Sequence, residues 1–158
     1  MRALFLALGL AGCTSSSNPG TAVDGGTQDD GGTVTCQNDP RVEPYTANIT
    51  KTSPSGALKV TLVSGDPAPP AVGNNTWIVK AVDGQGANLT TPPKVDPFMP
   101  DHNHGPSVKA QATAQPDGTF QVTPIDFIMP GVWRITFTGA AADGGVPESV
   151  AFFFCVSD

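Results

Sequence analysis

Val132-Trp133-Arg134-Ile135-Thr136-Phe137-Thr138 sets Trp133, Ile135 and Phe137 on one side of an extended chain and Arg134 with its polar neighbours on the other. Successive side chains of a strand point to opposite faces, so the stretch reads as a β-strand with one face buried and Arg134 on the solvent face. The same period recurs outward from it. Leu58-Lys59-Val60-Thr61-Leu62 alternates apolar with polar, and Thr76-Trp77-Ile78-Val79-Lys80-Ala81-Val82 is a second run, ended by the turn Asp83-Gly84-Gln85-Gly86. From Ser107 to Gln115 the alternation is strict, with Val108, Ala110, Ala112 and Ala114 on one face. Pro116-Asp117-Gly118 then turns the chain into Thr119-Phe120-Gln121-Val122, a hairpin. Ile125-Asp126-Phe127 continues after Pro124, and Ser149 to Val156 is apolar on both faces and reads as a central strand.

Sixteen prolines and eighteen glycines suit short strands and many turns, and no stretch carries helical periodicity of useful length. The pattern predicts an all-β fold, an immunoglobulin-like antiparallel β-sandwich of about seven strands. A closed barrel is the competing architecture. Trp77 and Trp133 are expected in the core.

Arg2 precedes an apolar run that ends in Leu10-Ala11-Gly12-Cys13. Small residues before a cysteine, directly after an apolar stretch, resemble the lipobox of bacterial lipoproteins, whose cysteine is lipidated and becomes the first mature residue. The run is too short to cross a bilayer as a helix, which takes roughly 20 residues. An ordinary cleaved signal or a short anchor is the alternative. Thr14, rather than Asp, follows Cys13, which in the Gram-negative sorting rule favours the outer membrane. Residues 14–35 are rich in Ser, Gly, Thr and Asp and nearly devoid of apolar side chains, so they cannot offset their ordering entropy and read as a disordered tether. A flexible linker of that length spans roughly 25 Å r.m.s.. The expected organisation is a lipoprotein signal peptide at 1–12, a lipidated flexible linker at 13–35, and a β-sandwich domain at 36–158.

Without Arg2 the 8 Lys+Arg become 7 against 14 Asp+Glu, a net charge of −7. An acidic surface repels phosphate backbones and excludes nucleic acid as the expected partner. With Cys13 lipidated, Cys36 and Cys155 remain. In an oxidising exported compartment they are expected to form a disulfide; a two-thiolate metal site is the alternative.

Both histidines lie in Met99-Pro100-Asp101-His102-Asn103-His104-Gly105. In an extended segment residues i and i+2 share a face, which would let His102 and His104 converge on one ion. Imidazole suits copper, nickel and zinc, and thioether sulfur selects Cu(I) among them. Met99 is the expected third ligand, and Met129 a fourth if its loop lies at the same end of the sandwich. Asp101 is the candidate oxygen ligand for Cu(II). The competing reading is a tight loop whose histidines cap backbone groups. Met129-Pro130-Gly131-Val132 has the preferred residues of a type II turn.

Taken in order, Trp77-Ile78-Val79-Lys80-Ala81-Val82-Asp83-Gly84, Met99-Pro100-Asp101-His102-Asn103-His104-Gly105, Asp117-Gly118-Thr119-Phe120 and Phe127-Ile128-Met129-Pro130-Gly131-Val132-Trp133 resemble the YtkA-like domain over about residues 57–156. The resemblance implies a small exported β-sandwich module, loosely associated with copper handling and oxidase maturation, and carries over no catalytic residue. No nucleophile elbow and no phosphate-binding glycine loop occurs, so a non-enzymatic role is expected. Two functions compete. One is a membrane-tethered periplasmic module that buffers or delivers copper through the Met/His loop. The other is a metal-free interaction or accessory module of an envelope assembly.

Overall fold

The computed structural model describes residues 36–140 and 145–157. The expected signal peptide, Cys13 and the linker lie outside the described residues. Eight strands run β1 Ile49–Thr52, β2 Leu58–Asp66, β3 Gly73–Asp83, β4 Lys94–Phe98, β5 Gln111–Ala114, β6 Phe120–Phe127, β7 Gly131–Gly139 and β8 Glu148–Val156. They form two antiparallel sheets, β1-β2-β3-β6-β5 and β4-β7-β8. The arrangement is a sandwich, not a closed barrel, and the described residues contain no helix.

The alternation read from the sequence builds the inner faces. Leu58, Val60 and Leu62 of β2 and Trp77, Val79 and Ala81 of β3 meet Trp133, Ile135 and Phe137 of β7 and Phe152 and Phe154 of β8 in one core. Both tryptophans are fully buried. Aromatic rings carry the contact across the layers: Trp77 lies edge-on to Phe154 at 5.7 Å between centroids, and Phe127 is tilted against Trp133 at 5.1 Å. Such pairs contribute about 0.5–1.5 kcal/mol each beyond the area they bury.

Two runs read as separate are one strand. In β6 the inward set changes parity, from Phe120 and Val122 to Ile125 and Phe127. Asn75 of β3 pairs with Ile125 while Trp77 pairs with Val122, so an extra β6 residue bulges at this point. A bulge shifts the face of everything beyond it, and strict period-2 reading therefore breaks there.

Three expectations need correction. Ser149–Val156 is not central: β8 is an edge strand and β7 is the middle of its sheet. Residues 36–43 run along the open edge of β8, whose outward-facing Ala151, Phe153 and Cys155 are half-buried. Cys36 is disulfide-bonded to Cys155, and Glu43 N–H donates to the Phe153 carbonyl (3.0 Å) while Phe153 N–H donates to Glu43 Oε1 (2.8 Å). The Ser107–Gln115 strand is shorter than its alternation, since pairing covers only Gln111–Ala114 and Val108 is exposed. Finally, two strands, β1 and β4, add to the expected set. Arg134 does lie on the outer face, where its guanidinium covers the Phe98 ring at 5.0 Å.

Candidate metal-binding loop

Pairing of β4 with β7 places the end of β4 beside the start of β7, with Phe98 opposite Arg134. The 99–105 loop and the 128–130 turn therefore share one pole of the sandwich, as the Met129 reading required. Met99 is fully buried, and a Cβ on Gly131 would lie 2.7 Å from its Cε, so the thioether methyl packs directly on that glycine. Gly131 has φ of 139°, well beyond the roughly +80° of the third position in a type II turn. The turn expected there is thus a wider bend that leads straight into β7. Met129 is half-buried against the core, and its carbonyl accepts the Trp133 indole N–H at 3.0 Å.

Three contacts shape the histidine loop. Met99 N–H donates to the His104 carbonyl at 2.7 Å and closes it. Gly105 lies so near β4 that a Cβ would come within 2.5 Å of the Pro97 carbonyl oxygen, a close approach that only glycine permits. Asn103 between the histidines takes φ of 55°, in the left-handed region that asparagine tolerates. The segment is a tight turn, not the extended strand expected from its spacing. The histidines still meet: the His102 and His104 rings stand 5.7 Å apart, edge to face. A metal–nitrogen bond of about 2.0 Å puts an imidazole centroid roughly 3.2 Å from the ion. At that radius the observed separation corresponds to a nitrogen–metal–nitrogen angle of roughly 125°. The separation of the two rings is within the reach of one shared ion.

Asp101 is engaged elsewhere. Its two oxygens accept from Arg41 Nη1 at 2.7 Å and Nη2 at 2.8 Å. The adjoining edge of the same guanidinium, through Nε (2.9 Å) and Nη2 (2.6 Å), holds Asp39. Hydrogen bonds from the Arg41 side chain, then from its backbone N–H, lower the Asp39 carboxyl to about 2, and the two carboxylates raise the pKa of Arg41. The sequence reading missed Arg41. Asp39-Pro40-Arg41 marks only the local half of the clamp; the partner lies sixty residues away. Among the described residues no three His, Cys, Asp or Glu side chains gather as a metal cluster; of the expected ligands the two imidazoles lie together, while Met99 belongs to the core and Met129 packs against it.

No curated protein matches the chain. The crystal structure of FetP from uropathogenic E. coli strain F11 is similar over 75% of this chain and 95% of its own, at 11% identity and a TM-score of 0.41. The YtkA-like family model matches residues 52–138, more than half of the 158 residues, and spans β2 to β7 with the whole histidine loop. With its two antiparallel sheets and its disulfide, the chain is a β-sandwich module that belongs to the YtkA-like family.

Proposed function

We propose that this protein is an exported cell-envelope module, tethered to the membrane by lipid on Cys13, that binds copper through His102 and His104 as a buffer or delivery protein. The observation that carries the reading is the imidazole pair 5.7 Å apart in a loop pinned to β4. Met99 and Met129 belong to the same pole, and thioether sulfur favours Cu(I) over harder ions. Bound copper would supply a redox-active, soft-ligand centre. The chain's own contribution is to hold the two imidazoles together on a closed turn, with Met99 and Met129 at the same pole. The role is binding, not catalysis, and the partners are the membrane and envelope proteins, with no nucleic acid. The tether and the disulfide both fit the periplasm, with the anchor in the outer membrane.

The test is a competition titration of the full chain against a chromophoric Cu(I) chelator without oxygen, alongside Cu(II) calorimetry. Wild type is expected to bind, and His102→Ala with His104→Ala to lose binding while the far-UV spectrum and melting temperature stay nearly unchanged. Acid should weaken binding because protons compete for the imidazole nitrogens. An unfolded double variant would make the histidines structural. Cys13→Ser should release the protein from the membrane fraction; retention there refutes the lipid anchor. A second reading, a metal-free interaction module, draws on Val72 and Ile128, which are exposed at the same pole. It prevails if neither copper oxidation state binds at micromolar concentration.

A further inference from the structure

We propose that Arg41 sets the metal preference of the histidine loop by holding the Asp101 carboxylate away from His102 and His104. The inference rests on the metal-binding reading above and assigns the residue that tunes it. Asp101 directly precedes His102. One carboxylate and two imidazoles, completed by solvent, form a donor set suited to Zn(II) and other borderline divalent ions. Both Asp101 oxygens instead face the Nη1 and Nη2 donors of Arg41, at 2.7 and 2.8 Å. A two-pronged arginine–carboxylate pair fixes direction as well as distance, so the carboxylate is oriented for the guanidinium.

Arg41 is itself anchored. Its backbone N–H (2.8 Å), Nε and Nη2 all donate to Asp39. The segment that carries it is tied to β8 at Cys36 by the disulfide and at Glu43 by two hydrogen bonds with Phe153. A free arginine on a mobile arm could follow Asp101 toward an ion. This one is held from both sides. With Asp101 withdrawn, the loop offers the two imidazoles without an oxygen ligand, a set less suited to Zn(II), while Met99 and Met129 lie at the same pole, packed in and against the core. Selectivity against divalent ions thus arises by removing an oxygen ligand that the sequence places next to the site.

The experiment measures Zn(II) affinity with a colorimetric zinc indicator and Cu(I) affinity by chelator competition, on the full chain. Outer partners of metal ligands shift affinity by about 10–100-fold, so Arg41→Gln is expected to tighten Zn(II) by about tenfold or more. Its Cu(I) affinity should stay within about threefold of wild type. Adding Asp101→Asn to Arg41→Gln should return Zn(II) affinity to the wild-type value. No Zn(II) gain in Arg41→Gln, or a gain that survives Asp101→Asn, overturns the proposal. If Arg41→Gln fails to fold, Arg41→Lys, which keeps the charge but loses the fork, is read by the same criteria. Wild type that binds no Cu(I) removes the copper reading, yet a Zn(II) gain cancelled by Asp101→Asn still upholds the clamp. Cu(I) binding by wild type without any Zn(II) gain in the variant does the reverse.

Discussion

Replacing both Cys36 and Cys155 with serine removes the one covalent tie between the start of the described domain and β8. The two residues are 119 apart in sequence. In the chain-entropy model a loop of that length restricts the unfolded chain by about 16 cal/mol/K, or about 4.9 kcal/mol at 25 °C. Unfolding entropy near 2.1 cal/mol/K per residue gives roughly 250 cal/mol/K for a domain of about 120 residues, so the melting temperature should drop by up to about 20 °C. That is an upper figure, because the unfolded chain is compact even without the bridge. The native side of the balance changes little: Glu43 and Phe153 still exchange two hydrogen bonds, and the Lys51 ammonium still pairs with Glu43 at 2.7 Å and bonds the Ala151 carbonyl. Calorimetry of the oxidised wild type and the double variant measures the drop. Hydrogen exchange adds a second readout, since residues 36–42 should lose protection while the β3–β6 ladder keeps it. A fall of less than about 4 °C, near 1 kcal/mol at this size, would refute the loop-entropy reasoning and mean that the segment is held by its non-covalent contacts alone.

Two further outcomes follow from the polar bookkeeping of the core and the surface. Trp133 and Trp77 are equally buried, but the Trp133 indole N–H bonds the Met129 carbonyl whereas the Trp77 indole N–H has no partner among the described residues. Trp133→Phe should therefore destabilise more than Trp77→Phe, by about 1–2 kcal/mol in urea titrations; the reverse order would sink the argument. Asp39 titrates at about 2 in the folded protein against 3.8 ordinarily, so its bond to Arg41 stabilises the fold above pH 3.8 and is lost as pH falls toward 2. The pair is partly solvated, which limits the effect to about 1 kcal/mol or less. The melting-temperature gap between wild type and Arg41→Gln should accordingly narrow between pH 5 and pH 2, and a gap independent of pH would rule out the Asp39 contribution.

How far the sequence discloses the fold depends on where period two is kept. The β2 strand from Leu58 to Leu62, β3 from Asn75 to Ala81 and β7 from Trp133 to Phe137 bury every second residue, and each is legible. The β4 strand is not, because Lys94-Val95-Asp96-Pro97-Phe98 is short and contains proline. An edge strand tolerates proline, since one side of its backbone needs no ladder bond, and β4 lies at the edge with Val95 and Pro97 turned inward. The four-residue β1 carries one large apolar side chain, Ile49, too little for a period. The error at β8 has the opposite origin. Apolar residues on both faces read as burial on both sides, but only the inward Val150, Phe152, Phe154 and Val156 are buried, and the outward Ala151, Phe153 and Cys155 are half-buried. At the open edge of β8 the 36–43 segment stands where another strand would, and a one-dimensional pattern does not distinguish the two.

The candidate site divides along the same line between what adjacency reveals and what distance hides. Two histidines at i and i+2 were expected to meet because an extended chain would place them on one face. They do meet, but through the left-handed Asn103 and the Met99-to-His104 hydrogen bond that folds the segment into a turn. The outcome was legible and its cause was not, since the spacing of two residues suits either geometry. Asp101 shows the limit more sharply. Its neighbours in sequence make it a ligand candidate, whereas its neighbour in space is Arg41, brought there by a chain segment fastened along β8. Proximity in sequence enumerates the donors around an ion. Which of those donors stay free to bind is decided by contacts made sixty residues away, and for this loop the Arg41–Asp101 pair makes that decision for the one carboxylate beside the histidines.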